Sequence, residues 1–254
     1  MEVKLDQHLL NSKNTLLLES TLASIEKNDV VFEIGPADGR LSRFLLQKNP
    51  KKLISIEMDD SFREKLQELK SEYENFEYII GDGLLELKKH KFNKLVSNIP
   101  YSITEPLYFK ILEMKIPFVI LLHGISFYEQ ILNKESKWHY FVNSSYDVEL
   151  INHIAGNAFT PKAKTMSVLL LLTLKNKQTK KEEFFMNLFS KSKRNTKNAL
   201  QFTLVDTFAM AKKDAKEIID KLELSNRCSD KNLENLSNEE FVKITDKIFE
   251  LLNI

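Results

Sequence analysis

Up to about residue 174 the chain alternates short apolar runs with stretches of helical spacing, and beyond that point strand character is lost. Residues 30–34, 53–56, 76–80, 94–97 and 118–122 read as strands, because apolar and β-branched residues cluster in runs too short for helices. Residues 41–46 and 105–114 have helical spacing between them, and Ser61 is the expected N-cap of a helix running to about residue 74. Two late strands, 148–154 and 166–174, are separated only by a loop, which predicts an antiparallel hairpin at the sheet edge. Such alternation predicts an α/β fold, a Rossmann-like doubly wound sheet ending in that hairpin. The remainder is expected to be all helical, with helices over 182–189, 194–211, 215–222 and 238–252. The polar, basic stretch 175–181 is the natural linker, so the expected domains are 1–176 and 177–254.

Several classes are set aside early. The chain has one cysteine, Cys228, so neither an intramolecular disulfide nor a multi-cysteine zinc site is expected, and no metal is assigned. No apolar run approaches the ~18 residues of a membrane-spanning helix. Glu2 and Asp6 near the start, with no apolar region after them, give no signal or transit peptide, and a cytoplasmic location is expected.

In an open parallel sheet, ligands bind beyond the carboxyl ends of the strands, where the strand order switches. Those positions carry Gly35-Pro-Ala-Asp-Gly39, Glu57-Met-Asp59, Gly81-Asp82-Gly83 and Asn98-Ile-Pro-Tyr101. A dinucleotide fingerprint needs Gly-x-Gly-x-x-Gly to bring backbone amides against a pyrophosphate. Here Ala37 holds the place of the second glycine and Asp38 brings negative charge beside it, which suits a cofactor without phosphates. Glu57 stands about 20 residues after Gly35, the spacing of a carboxylate that accepts ribose hydroxyls. Asp82 at the next strand end can accept from an adenine amine. Ribose and adenine recognition without pyrophosphate recognition points to S-adenosylmethionine.

Asn98-Ile-Pro-Tyr101 suggests what the methyl is for. An amine conjugated to an aromatic ring is a poor nucleophile, because its lone pair is delocalised. The Asn98 side-chain carbonyl and the Pro100 backbone carbonyl can accept its two hydrogens and favour a tetrahedral, attacking geometry. Proline fixes the turn and brings no competing amide hydrogen. Tyr101 supplies a platform on which an unpaired base stacks.

These motifs resemble those of the ribosomal-RNA adenine dimethyltransferases, which methylate two adjacent adenines near the 3′ end of small-subunit rRNA. The resemblance runs from Asp6-Gln-His-Leu-Leu10 through Glu33-Ile-Gly-Pro36, Ile56-Glu-Met-Asp59, Gly81-Asp82 and Asn98-Ile-Pro-Tyr-Ser-Ile103. It continues in Phe159-Thr-Pro161 to Ser167, in the basic segment Leu188 to Leu200, and in Leu236-Ser-Asn-Glu-Glu-Phe241. It implies that Gln7, His8, Leu10, Gly35, Glu57, Asp82 and Asn98 contact the cofactor, and that Asn98, Pro100 and Tyr101 form the target-base site. Ala37, Ala163, Thr165 and His123-Gly-Ile125 depart from the family's usual residues. The last of these bears on the substrate side, and His123 reads more readily as a buried structural histidine than as a catalytic one.

A formal net charge of +1 conceals an uneven distribution. Lys175, Lys177, Lys180, Lys181, Lys191, Lys193, Arg194 and Lys197 face only Glu182 and Glu183 in the same stretch. Lys191, Lys193, Arg194 and Lys197 are the candidate RNA contacts, with an ordinary solvated face as the alternative. The expected partner is small-subunit rRNA in a pre-ribosomal subunit, and the enzyme is expected to be a monomer that binds no membrane. Two other functions remain open on the same fold: a large-subunit rRNA adenine methyltransferase of the macrolide-resistance type, and a non-catalytic ribosome-assembly factor.

Overall fold

Burial at successive positions of a strand requires cover on both faces, because neighbouring side chains point to opposite sides of the sheet. Leu53 to Glu57 and Leu95 to Ser97 are buried without a break, so these strands lie inside a layered α/β structure. The computed structural model describes residues 8–254, and Gln7, an expected cofactor contact, lies outside them. Two compact units divide the chain: one ends at Tyr128 and resumes over Asp147–Leu174, the other is Glu129–Tyr146 with Lys175–Ile254.

In chain order the first unit holds β1 (Leu9–Leu10), α1 (Lys13–Leu22), β2 (Val30–Ile34), α2 (Arg40–Leu46), β3 (Lys52–Glu57) and α3 (Arg63–Glu72). There follow β4 (Phe76–Ile80), α4 (Gly83–Glu86), β5 (Lys94–Asn98), α5 (Thr104–Met114) and β6 (Phe118–Gly124). The chain passes through α6 (Ile125–Leu132) and α7 (Lys137–Ser145), then returns in β7 (Tyr146–Ile154), β8 (Phe159–Thr160) and β9 (Ser167–Leu174). Seven strands form a mixed sheet in the order β4-β3-β2-β5-β6-β9-β7, and β1 pairs with β8 in a separate antiparallel ribbon. From β4 to β6 the neighbours are parallel, and β9 runs antiparallel to β6. The chain builds outward from β2 to β4 and then restarts at β5 on the other flank of β2. That reversal opens a crevice at the carboxyl ends of β2 and β5.

The second unit continues with α8 (Lys180–Phe189), α9 (Thr196–Phe208), α10 (Lys212–Lys221), α11 (Asn226–Asp230) and α12 (Asn238–Leu252). Its core is aromatic: Phe141 meets Phe241 at 5.0 Å between ring centroids, and Phe184 meets Phe249 at 5.1 Å. Capping boxes open α8 (Thr179 with Glu182) and α12 (Ser237 with Glu240), each satisfying two backbone donors that a helix start leaves bare.

The expected sheet and helical segment are present, with local differences. Asp59, not Ser61, starts the third helical segment, since its carboxylate accepts from Ser61 N at the head of a 3-10 turn. Asn195 caps α9, so Lys191 to Arg194 lie in the turn before that helix, not at its start. Among the described residues no helix is long and apolar enough to cross a membrane.

Candidate active site

An open pocket lies at this strand-order reversal. Its floor comes from Gly35 to Asp38 after β2, Glu57 at the end of β3, and Asn98 to Tyr101 after β5. The backbone at Gly35 has φ +70°, a conformation that favours glycine, and a Cβ there would meet nothing within 4 Å. The turn therefore presents bare backbone to the cavity. Ala37 adopts φ +51°, which costs a non-glycine residue about 1 kcal/mol or more.

Glu57 holds this turn in place. Its Oε2 accepts from Ala37 N at 2.8 Å and its Oε1 from Asp59 N at 2.8 Å. Burial raises its pKa, and the backbone amides of Asp59, Ala37 and Met58 work against that rise. A carboxylate has about four acceptor positions, so some capacity remains for a hydroxyl in the pocket. Beneath it lies Glu33, fully buried, whose Oε2 accepts from Ser42 Oγ (2.6 Å) and Ser55 Oγ (2.7 Å). Desolvation pushes the Glu33 carboxyl up to about 7.

The N-terminal segment forms one wall. β1 pairs in register with β8, Leu9 opposite Thr160 and Leu10 opposite Phe159. His8 Nδ1 lies 2.8 Å from the Pro161 carbonyl, and Arg40 donates to Asn11 Oδ1 at 2.6 Å. His8 and Leu10 thus line the same pocket as Gly35, Glu57 and Asn98. Asp82 does not: it stands at the next strand end, outside this lining, where its Oδ1 caps α4 through Leu84 N.

The expected target-base residues converge. Asn98, Pro100 and Tyr101 all line the pocket. The Tyr101 hydroxyl lies 2.7 Å from Ser167 Oγ, and its ring rests on Gly124. A Cβ at Gly124 would come within 3.2 Å of that ring, so glycine in His123-Gly-Ile125 leaves room for the tyrosine. His123 is buried, with Nε2 3.1 Å from Tyr108 Oη and Nδ1 2.9 Å from the Gly124 carbonyl. Burial depresses its pKa to about 4, so it stays neutral as a structural histidine.

The basic candidates are not equivalent. Lys193, Arg194 and Lys197 are exposed. Lys191 is largely covered, 2.9 Å from Asp206 and 3.2 Å from the Asn187 carbonyl at the end of α8. Arg194 lies over the Phe202 ring at 5.0 Å, and Lys197 is 3.7 Å from Asp220.

The family model for ribosomal RNA adenine dimethylase matches residues 2–248. The chain belongs to that family. A probable ribosomal RNA small subunit methyltransferase A of Methanococcus maripaludis is 31% identical over 231 residues, covering 87% of this chain and 88% of the relative. The protein of the same description from Pyrococcus abyssi is 31% identical over 255 residues, covering 97% and 91%. Among solved structures, a dimethyladenosine transferase from Plasmodium falciparum superposes with a TM-score of 0.65 at 23% identity, over 97% of this chain and 99% of that one. The 23S rRNA methyltransferase ErmE gives 0.62 at 18% identity, over 94% and 99%. At those identities the two structures speak for the fold.

This dimethylase is therefore an S-adenosylmethionine-dependent rRNA methyltransferase, and the pocket fits that cofactor. Gly35 leaves an open cradle, Glu57 keeps acceptor positions unused, and Asn98 Oδ1 is a buried acceptor without a partner. Sequence reasoning did not single out Glu19, because a glutamate in a helix ordinarily marks the solvent face, yet it is buried here. Glu33 belongs to a quoted motif that assigns it no role, and it too is buried, near the end of strand β2.

Proposed function

We propose that this enzyme dimethylates the exocyclic amines of two adjacent adenines near the 3′ end of small-subunit rRNA, within a pre-ribosomal subunit, as a cytoplasmic monomer. One observation carries the reading: Asn98-Ile-Pro-Tyr101 closes the same pocket that Gly35 and Glu57 open, across the switch from β2 to β5. Residues 1–176 carry the chemistry, and the basic turn of 177–254 supplies the grip on RNA phosphates.

When bound, S-adenosylmethionine supplies an electrophilic methyl group on a sulfonium. Glu57 accepts from the ribose, Gly35 lets the backbone approach closely, and His8 and Leu10 cover the opposite side. Asp82, with one oxygen occupied as a helix cap, offers the other to the adenine amine. Asn98 Oδ1 and the Pro100 carbonyl accept the hydrogens of the target amine while Tyr101 stacks on its base. Held this way, the amine nitrogen would keep its lone pair free for the methyl group that the bound cofactor would supply. The resulting ammonium is acidic and loses its proton to water, so no strong base is required.

The test incubates the enzyme with methyl-labelled S-adenosylmethionine and either unmethylated small subunits or large subunits. Label in small-subunit rRNA alone supports the reading. Label in the large subunit alone would replace it with the macrolide-resistance type of activity.

A further inference from the structure

The pocket is lined by three carboxyl groups, those of Glu33, Asp38 and Glu57, but by a single arginine, Arg40, and no lysine. S-adenosylmethionine carries two positive groups, its sulfonium and its ammonium, and one negative group, its α-carboxylate. An acidic lining suits the first two. A carboxylate brought among other carboxylates is repelled, the more so where water is partly displaced. It needs a cation, and Arg40 is the permanent one in this lining. His8 lines the pocket as well, but its Nδ1 lies 2.8 Å from the Pro161 carbonyl.

Arg40 is also held ready. It is the first residue of α2, directly after the turn that ends in Gly39. Its Nε donates to Asp38 Oδ2 at 2.8 Å, and its Nη1 donates to Asn11 Oδ1 at 2.6 Å and to the Leu10 carbonyl at 3.4 Å. Asn11 is fixed in turn, through its side-chain amide to Thr160 Oγ1 and its backbone N–H to the Ala158 carbonyl. A guanidinium has five N–H donors, so these bonds leave the two on Nη2. Among the described residues no group accepts from Nη2. With 41% of the side chain exposed, that free edge is open to a ligand. A fork already fixed on both sides loses little freedom when an anion meets it.

We propose that Arg40 receives the α-carboxylate of S-adenosylmethionine on its unused Nη2 donors. The inference rests on this pocket being the cofactor site.

Decarboxylated S-adenosylmethionine keeps the adenosine, the sulfonium and the amine and lacks only the carboxylate, so calorimetry with both ligands isolates this contact. In Arg40→Gln the affinity for S-adenosylmethionine should fall roughly ten- to hundredfold. The analogue, relieved of a cation near its own two, should bind as well as before or better. The ratio of the two affinities should therefore fall by at least that factor. Arg40→Met keeps the stem and gives the same readout should the glutamine variant not fold. Arg40→Lys keeps a cation without the planar fork and should retain part of the ratio. A role confined to holding the N-terminal wall predicts equal losses for both ligands. An unchanged ratio in Arg40→Gln or Arg40→Met would overturn the proposal. Glu57→Gln, titrated in parallel, separates the two claims. A loss of affinity there with a constant ratio in Arg40→Gln defeats only the carboxylate contact, whereas unchanged affinity for both ligands in Glu57→Gln and Arg40→Gln defeats the reading of the pocket itself.

Discussion

The two units treat their buried polar groups in opposite ways. In the helical unit four helix starts are capped by Thr179, Asn195, Ser225 and Ser237, α10 after Ala211 being without a side-chain cap, and the buried hydroxyls of Thr196, Thr203 and Thr245 donate to backbone carbonyls. Among the described residues, the buried side-chain atoms without a partner belong to Glu19, His90 and Asn98, all in the sheet unit. His90 Nε2 is 3.4 Å from Glu86, Asn98 lines the pocket, and Glu19 lies on α1. One unit is arranged for stability and presents charge on its surface. The other tolerates incomplete hydrogen bonding where a ligand is meant to complete it.

The largest test of that contrast is Asn98→Ala. Removing an acceptor aimed at the reacting amine should cut single-turnover methyl transfer by about a hundredfold or more while the fold is retained. Near-normal rates by quenched-flow label transfer would break the contrast at its centre.

Next comes Glu57→Gln, which keeps the shape and loses a charged acceptor. S-adenosylmethionine affinity should fall roughly ten- to hundredfold by calorimetry, the equivalent of ~1.5–3 kcal/mol. Unchanged affinity would remove Glu57 from the cofactor site and leave it as an anchor for the Ala37 and Asp59 amides.

For the helical unit, changing Lys193, Arg194 and Lys197 together to Ala should weaken binding to small subunits. It should also flatten the dependence of log K on log salt by about 0.7–0.9 for each phosphate that is no longer neutralised. Cofactor affinity should stay the same. Lys191 is tied to Asp206, so Lys191→Ala should change the salt slope least. Equal slopes in titrations of the triple variant and the native protein would leave the basic turn as ordinary surface.

A smaller effect concerns pH. Burial, with Glu33 nearby, lifts the Glu19 carboxyl from 4.5 to about 8, and Glu33 itself rises to about 7. Between pH 4.5 and those values the folded protein binds protons that the unfolded chain has released. The stabilisation is complete below pH 4.5 and is lost as the pH rises through 7 to 8. Melting temperature should therefore fall over that interval, and Glu19→Gln should reduce the fall. A parallel pH profile in the variant would show that Glu19 ionises normally. Smallest of all, Ala37→Gly should relieve the left-handed backbone at little cost, altering stability by less than about 1 kcal/mol in a denaturant titration.

The strands β2 to β6 along the chain and the pocket residues after β2, β3 and β5 are legible in the sequence because apolar runs end in Gly35, Glu57 and Asn98, and each lies where a parallel sheet exposes its strand ends. Helices α1, α6, α7 and α11 are not. In α1 three consecutive leucines precede a buried glutamate, which breaks the polar-out pattern on which helical periodicity depends. The pairing of β1 with β8 leaves no sequence signal because two-residue strands carry no alternation. Asp82 is expected at the strand end next to Glu57, and strand-end spacing does not reveal that one of its oxygens also caps α4. Residues 129–146 join the helical unit although they precede the last strands, a long-range association with no sequence punctuation.

The most direct measurement digests small-subunit rRNA after incubation with enzyme and methyl-labelled S-adenosylmethionine, then identifies and maps the labelled nucleoside. The account predicts N6,N6-dimethyladenosine at two adjacent positions near the 3′ end, absent when Asn98→Ala replaces the native enzyme. Label on another nucleoside, or full dimethylation by Asn98→Ala, would contradict it.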